Sequence, residues 1–131
     1  MTWPVRHLSV SIDRPPAAVA AFVGDPANLP LWAAGLSAGI RHEDERWLTS
    51  SPMGDVEVRF TGPVDLGILD HDVVLPDGVV VHNPLRVLAN DAGSEVVFTL
   101  YRLEGVSDDD YDRDSAMVAD DLARLRDVLQ G

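Results

Sequence analysis

Apolar and polar residues alternate along 5–13, with Leu8, Val10 and Ile12 set against His7, Ser9 and Ser11. This predicts a half-buried β-strand. Arg14-Pro15-Pro16 ends it, and Pro16 suits the first position of a helix. Ala17 to Val23 follows, with Val19, Phe22 and Val23 on one face and Gly24 as the stop. Asp25-Pro26 then predicts a capped second turn of helix leading to Leu29, Leu31 and Trp32. Residues 37–43 and 46–51 read as two short strands about the charged turn His42-Glu43-Asp44-Glu45. Val56, Val58 and Phe60 alternate with Glu57, Arg59 and Thr61 in a third, closed by Gly62-Pro63.

Residues 64–88 predict a hairpin. Leu75-Pro76-Asp77-Gly78-Val79 has Pro to preset the first central angle and Gly to take the left-handed position. A three-residue loop there sets Val73 opposite Val81, Asp72 opposite His82, and His71 opposite Asn83. One face then carries Leu69, His71, Val73, Leu75, Val79, Val81, Asn83, Leu85 and Val87, and the other Asp70, Asp72, His82 and Arg86. The apolar face should look inward. Val64 and Leu66 have the wrong parity for it, and a bulge at Gly67 would correct this. After a turn at 89–93, Val96, Phe98 and Leu100 mark the last strand.

From Ser107 onward the period changes. Tyr111, Ser115, Val118, Leu122, Leu125 and Leu129 fall on one stripe of a helix, uninterrupted until Gly131. Ser107 is placed to accept a hydrogen bond from the amide of Asp110, and Asp108, Asp109 and Asp110 suit the positive end of the helix dipole. The order is one strand, a short helical pair, six more strands and a long helix. Short turns make consecutive strands antiparallel. The expected fold is α+β: a seven-stranded curved antiparallel sheet with the long helix packed on its concave face.

With 131 residues and 46% hydrophobic composition, a single domain over 1–131 is expected, with enough apolar material for a core. The formal net charge is −12, and every cation is arginine. Such an acidic chain argues against nucleic acid and against anionic membranes. There is no cysteine, so thiol catalysis, disulfides and cysteine metal sites are excluded, and the absence of lysine excludes a Schiff base. The N-terminus has no signal-peptide pattern and no run approaches a membrane span, so no membrane insertion and a cytoplasmic location are expected.

Val10-Ser11-Ile12 leading into Arg14-Pro15-Pro16, then Val19 and Phe22, then Asp25-Pro26-Ala27-Asn28-Leu29-Pro30-Leu31-Trp32, the strand meander and the closing amphipathic helix together resemble the START/polyketide cyclase (SRPBCC, helix-grip) superfamily. The resemblance covers essentially the whole chain. It implies an apolar cavity between the curved sheet and the C-terminal helix. It implies no catalytic motif, because the superfamily shares none, and its members include lipid carriers, ubiquinone-binding proteins, hormone receptors, cyclases and aromatases.

His71 and Asn83 are the polar residues that the hairpin register puts on the apolar face, where each needs a partner. Either they bond one another or a buried water and hold the sheet in register, or they are polar anchors for a ligand. Trp32 either plugs the core or lines the pocket. Trp47, Phe60, Val73, Val81, Phe98, Tyr111 and Val118 complete the candidate wall, each with plain core packing as the alternative. Met117 on the long helix either faces the ligand as a soft filler or, the better explanation, simply packs. Asp70-His71-Asp72 is no metal cluster, since alternation points the histidine away from both aspartates; Asp72 with His82, and Asp70 near Arg86, read as exposed cross-strand pairs. No metal and no cofactor are expected. The sequence thus points to binding of a small hydrophobic or amphipathic molecule, such as a lipid, quinone or polyketide. The alternative is a cyclase or dehydratase with His71 as general acid/base. A homodimer and a ligand-free partner-binding module stay open.

Overall fold

The computed structural model describes residues 1–131. Strand β1 (Val5–Ile12) ends at the Pro pair, and helix α1 (Pro16–Val23) starts with Pro16 at its first turn. A 3₁₀ turn (Pro26–Asn28) follows, with the Asp25 carboxylate accepting from the Ala27 amide, and α2 (Leu29–Trp32) continues it. Next come β2 (Arg41–Glu43), β3 (Arg46–Ser51), β4 (Gly54–Phe60), β5 (His71–Val74), β6 (Val80–Asn83), β7 (Leu85–Asn90) and β8 (Gly93–Tyr101). Helix α3 (Asp108–Gln130) closes the chain.

The fold is α+β with antiparallel strands, and it carries eight strands where seven were expected. They form a three-stranded sheet, β1-β8-β7, and a five-stranded sheet, β2-β3-β4-β5-β6. Pro84 makes the difference. It has no amide hydrogen to give to a ladder, and it divides the expected strand 79–88. β6 pairs with β5, whereas β7 pairs with β8. The hairpin register is as the turn predicts: His71 opposite Asn83, Asp72 opposite His82, Val73 opposite Val81. Gly78 takes the left-handed conformation (φ 90°).

The upstream part of the expected hairpin differs. Val64–Leu66 is a 3₁₀ turn, not strand, and Gly67 ends it at φ 76° rather than forming a bulge. A Cβ on Gly67 would sit 2.5 Å from the Val87 carbonyl oxygen, so the glycine is required by close approach as well as by φ. The chain then runs beside β7, where the Leu69 amide donates to the Leu85 carbonyl (2.7 Å) before β5 joins the other sheet. Residues 37–40, expected in a strand, instead follow a 3₁₀ turn (Ala34–Leu36), and Gly39 has φ 122°.

The buried core is small and off-centre. Ile12, Val19, Val23, Leu69, Leu85, Val96, Leu122 and Leu125 are essentially inaccessible, and they join β1, α1, β7, β8 and the C-terminal half of α3. At ~25 cal/mol per Å² of apolar surface, burial of this cluster dominates the stability of that end. Helix α3 packs chiefly along β1. Its buried stripe is Tyr111, Ser115, Leu122 and Leu125, and Ser107 caps its N-terminus by accepting from the Asp110 amide. At the other end Arg14 donates to the Leu129 carbonyl (2.9 Å), satisfying one of the carbonyls that a helix C-terminus leaves free. On the inward face of the five-stranded sheet, Val73 and Val81 are only half-buried. Helix and core thus fill one end of the sheet and leave the other partly open.

Candidate functional site

The open end is a cleft of about 340 Å³. Its floor is Val58 on β4, His71 and Val73 on β5, Asn83 on β6, and Phe98 and Leu100 on β8. One wall is Leu29, Trp32, Ala33, Gly35 and Leu36, and the other is Asp114, Met117, Val118 and Asp121 on α3. Ten of the fifteen lining residues are apolar, so desolvating an apolar molecule would drive entry. A second hollow of about 280 Å³ lies between residues 38–41 and 48–50, and only three of its seven lining residues are apolar.

The α2 wall is held by a clamp from α3. Arg124 donates to the Trp32 carbonyl (2.9 Å) and pairs with Asp121 (3.0 Å); the Asp121 carboxylate accepts from the Ala34 amide (3.1 Å). These bonds satisfy backbone groups at the end of a very short helix, which propensity alone would not hold. Trp32 is buried, and its indole Nε1–H has no hydrogen-bond partner.

On the floor, His71 Nδ1 donates to the Leu69 carbonyl oxygen (3.1 Å). That bond fixes the tautomer and leaves Nε2 as an acceptor. The Asn83 side-chain amide lies 3.5 Å from Nε2, a long contact. The imidazole is flanked by Phe60 (ring centroids 5.5 Å) and Phe98 (6.3 Å). Burial pushes its pKa below the ordinary histidine value, so it is uncharged at neutral pH. On the other face of the hairpin, His82 and Asp72 pair at 2.6 Å, and Arg86 and Asp70 at 2.8 Å.

Of the residues expected at the site, His71, Asn83, Trp32, Val73, Phe98 and Val118 line the cleft. The others lie elsewhere. Trp47 is in the same cross-strand row as Val58 and Val73, but it sits toward the sheet edge, stacked on His42 (4.4 Å). Phe60 stands beside the His71 ring. Val81 pairs with Val73 but on β6, the last strand of its sheet, outside the lining. Tyr111 is buried as a tether: its hydroxyl donates to the Leu100 carbonyl (2.8 Å), and the Arg6 guanidinium covers its ring (4.2 Å). Strand parity gives the face of a side chain but not where along that face a helix leaves space.

Sequence reasoning missed the α2 wall beyond Trp32 and the carboxylates of Asp114 and Asp121. Asp114, Met117, Val118 and Asp121 recur at spacings of three, one and three. This is a second helical stripe beside the buried one, legible only when the direction of the helix across the sheet is known. Met117 is 48% exposed and lies on the cleft wall, the ligand-facing alternative rather than the packing role. There is no cluster of three or more metal-ligating side chains. No helix is long and apolar enough to cross a membrane.

A curved antiparallel sheet gripping a long C-terminal helix over an apolar cleft defines a helix-grip protein, and the fold resembles that of the SRPBCC/START superfamily. No protein-family model matches the sequence, and no curated protein matches it either. Solved structures match the fold. An uncharacterised protein from Bacillus thuringiensis superimposes with a TM-score of 0.74 at 14% identity, over 98% of this chain and 100% of that one. The Aha1 dimer from Colwellia psychrerythraea gives 0.74 at 13% identity, over 96% of each chain. DynU16, a protein of the dynemicin biosynthetic locus, gives 0.68 at 18% identity, over 96% of this chain and 47% of that one. At these identities the likeness is one of fold.

Proposed function

We propose that this protein binds one small, largely apolar molecule in the cleft between α2, α3 and the sheet. The observation that carries the reading is the cleft itself: an apolar lining around a single histidine–asparagine pair. Its volume is at the low end of small-molecule sites, which run from ~300 to ~1,000 Å³. That suits a compact ring system better than a two-chain lipid.

Binding has more support than turnover. A histidine acting as general base is commonly oriented by a carboxylate on its other nitrogen. Here a backbone carbonyl takes that place, and Asp70 and Asp72 are engaged with Arg86 and His82.

Calorimetric titration with 2-methoxynaphthalene, an uncharged bicyclic probe, tests the reading. One saturable site is expected. Val118→Trp, which fills the cleft from α3, should weaken binding at least about tenfold while the unfolding midpoint stays within a few degrees. Equal binding by both chains would place the probe elsewhere and overturn the proposal.

A further inference from the structure

We infer that the molecule held in the cleft is uncharged and presents a hydroxyl group to His71 and Asn83, and that carboxylates and phosphates are excluded. This rests on the binding reading above and narrows it to a chemical class.

The first argument is the hydrogen-bond pattern of the floor. His71 spends its only N–H on the Leu69 carbonyl, so Nε2 offers a lone pair. The nearest group of Asn83 is its side-chain amide, a donor. At 3.5 Å the two scarcely satisfy one another. An acceptor and a donor side by side are completed by a group that both accepts and donates. A hydroxyl does so, donating to Nε2 while accepting from the amide. A ketone or ether oxygen can take the amide but leaves the Nε2 lone pair without a proton. A polar group enclosed without its partner loses more affinity than a good bond gains.

The second argument is charge. No arginine lines the cleft, and the chain has no lysine. The only charged side chains on the wall are the carboxylates Asp114 and Asp121. The nearby cation, Arg124, is committed to Asp121 and to the Trp32 carbonyl. An anionic head group would therefore be desolvated beside like charge with no counter-ion. The uncharged imidazole does not change that balance.

Calorimetry with four naphthalenes separates the alternatives: 2-naphthol, 2-methoxynaphthalene, 2-acetylnaphthalene and 2-naphthoate. Naphthol should bind about tenfold more tightly than the methoxy and acetyl compounds, and naphthoate more weakly than any of them. His71→Phe, and independently Asn83→Leu, should abolish the naphthol preference, bringing naphthol and methoxynaphthalene within about threefold of one another. If the methoxy or acetyl compound matches naphthol, the hydroxyl assignment is wrong although the cleft binds. Tightest binding by naphthoate overturns the charge argument. If none of the four binds, the binding reading itself falls.

Discussion

Asp70 receives two hydrogen bonds from Arg86, from Nε and from Nη2, each at 2.8 Å, and a third from the Leu85 amide at 3.0 Å. It lies where the chain passes from the three-stranded to the five-stranded sheet, so one carboxylate ties the two together. Arg86 first, and the Leu85 amide, hold the Asp70 pKa below the usual carboxylate value despite partial burial. Asp70→Ala should destabilise the fold by about 1–3 kcal/mol, because it leaves the Leu85 amide without its partner. Urea denaturation at pH 7 measures this.

The same carboxylate predicts an acid response. Its folded pKa is depressed, so the unfolded chain binds the proton first. The stabilisation is fully present above the unfolded value near ~4 and is lost as pH falls through the folded value. Asp70→Asn should flatten the dependence of stability on pH below about pH 4. An unchanged slope would mean that the ion pair does not contribute.

His71 acts in a separate window. Burial depresses its folded pKa, so the unfolded chain again takes up the proton first. Stability should be constant above the unfolded value near ~6.5 and fall as pH drops from there toward the folded value. NMR titration of the His71 ring protons should give a midpoint below that of a free histidine. A ligand hydroxyl donated to Nε2 should lower it further.

Gly67→Ala is expected to cost about 1–3 kcal/mol, since alanine must adopt a left-handed conformation with its Cβ against the Val87 carbonyl. Gly35→Ala, where an added Cβ meets nothing, should change the unfolding midpoint little. Thermal melts of the two distinguish local strain from a general intolerance of side chains.

Ser107→Ala should cost about 1 kcal/mol through loss of the cap on the Asp110 amide. Circular dichroism would report a lower melting temperature without loss of helix at 25 °C. Ser107→Asp should be close to neutral.

How far the residues alone reveal this molecule depends on how local the deciding force is. The β5–β6 register followed from one turn, Pro76 to Gly78, and the α3 stripe from its own period. Ser107 was legible as a cap because capping involves four residues. The division at Pro84 is not legible in the pattern, because the strand on either side of the proline still alternates correctly. What Pro84 changes is the partner of each half, which parity does not encode. The clamp of Asp121 and Arg124 on α2 joins residues some ninety positions apart, and no sequence pattern announces it. The same holds for Trp47, Phe60, Val81 and Tyr111, whose faces were readable and whose distances from the cleft were not.

The unpaired indole N–H of Trp32 has a practical use. An indole enclosed away from water and free of hydrogen bonds emits at shorter wavelength than one at the surface, and Trp3 is 39% exposed. Any guest that settles against the α2 wall alters the surroundings of Trp32, whereas Trp3 and Trp47 lie outside the cleft lining. The protein therefore carries its own optical gauge of occupancy, readable without a label.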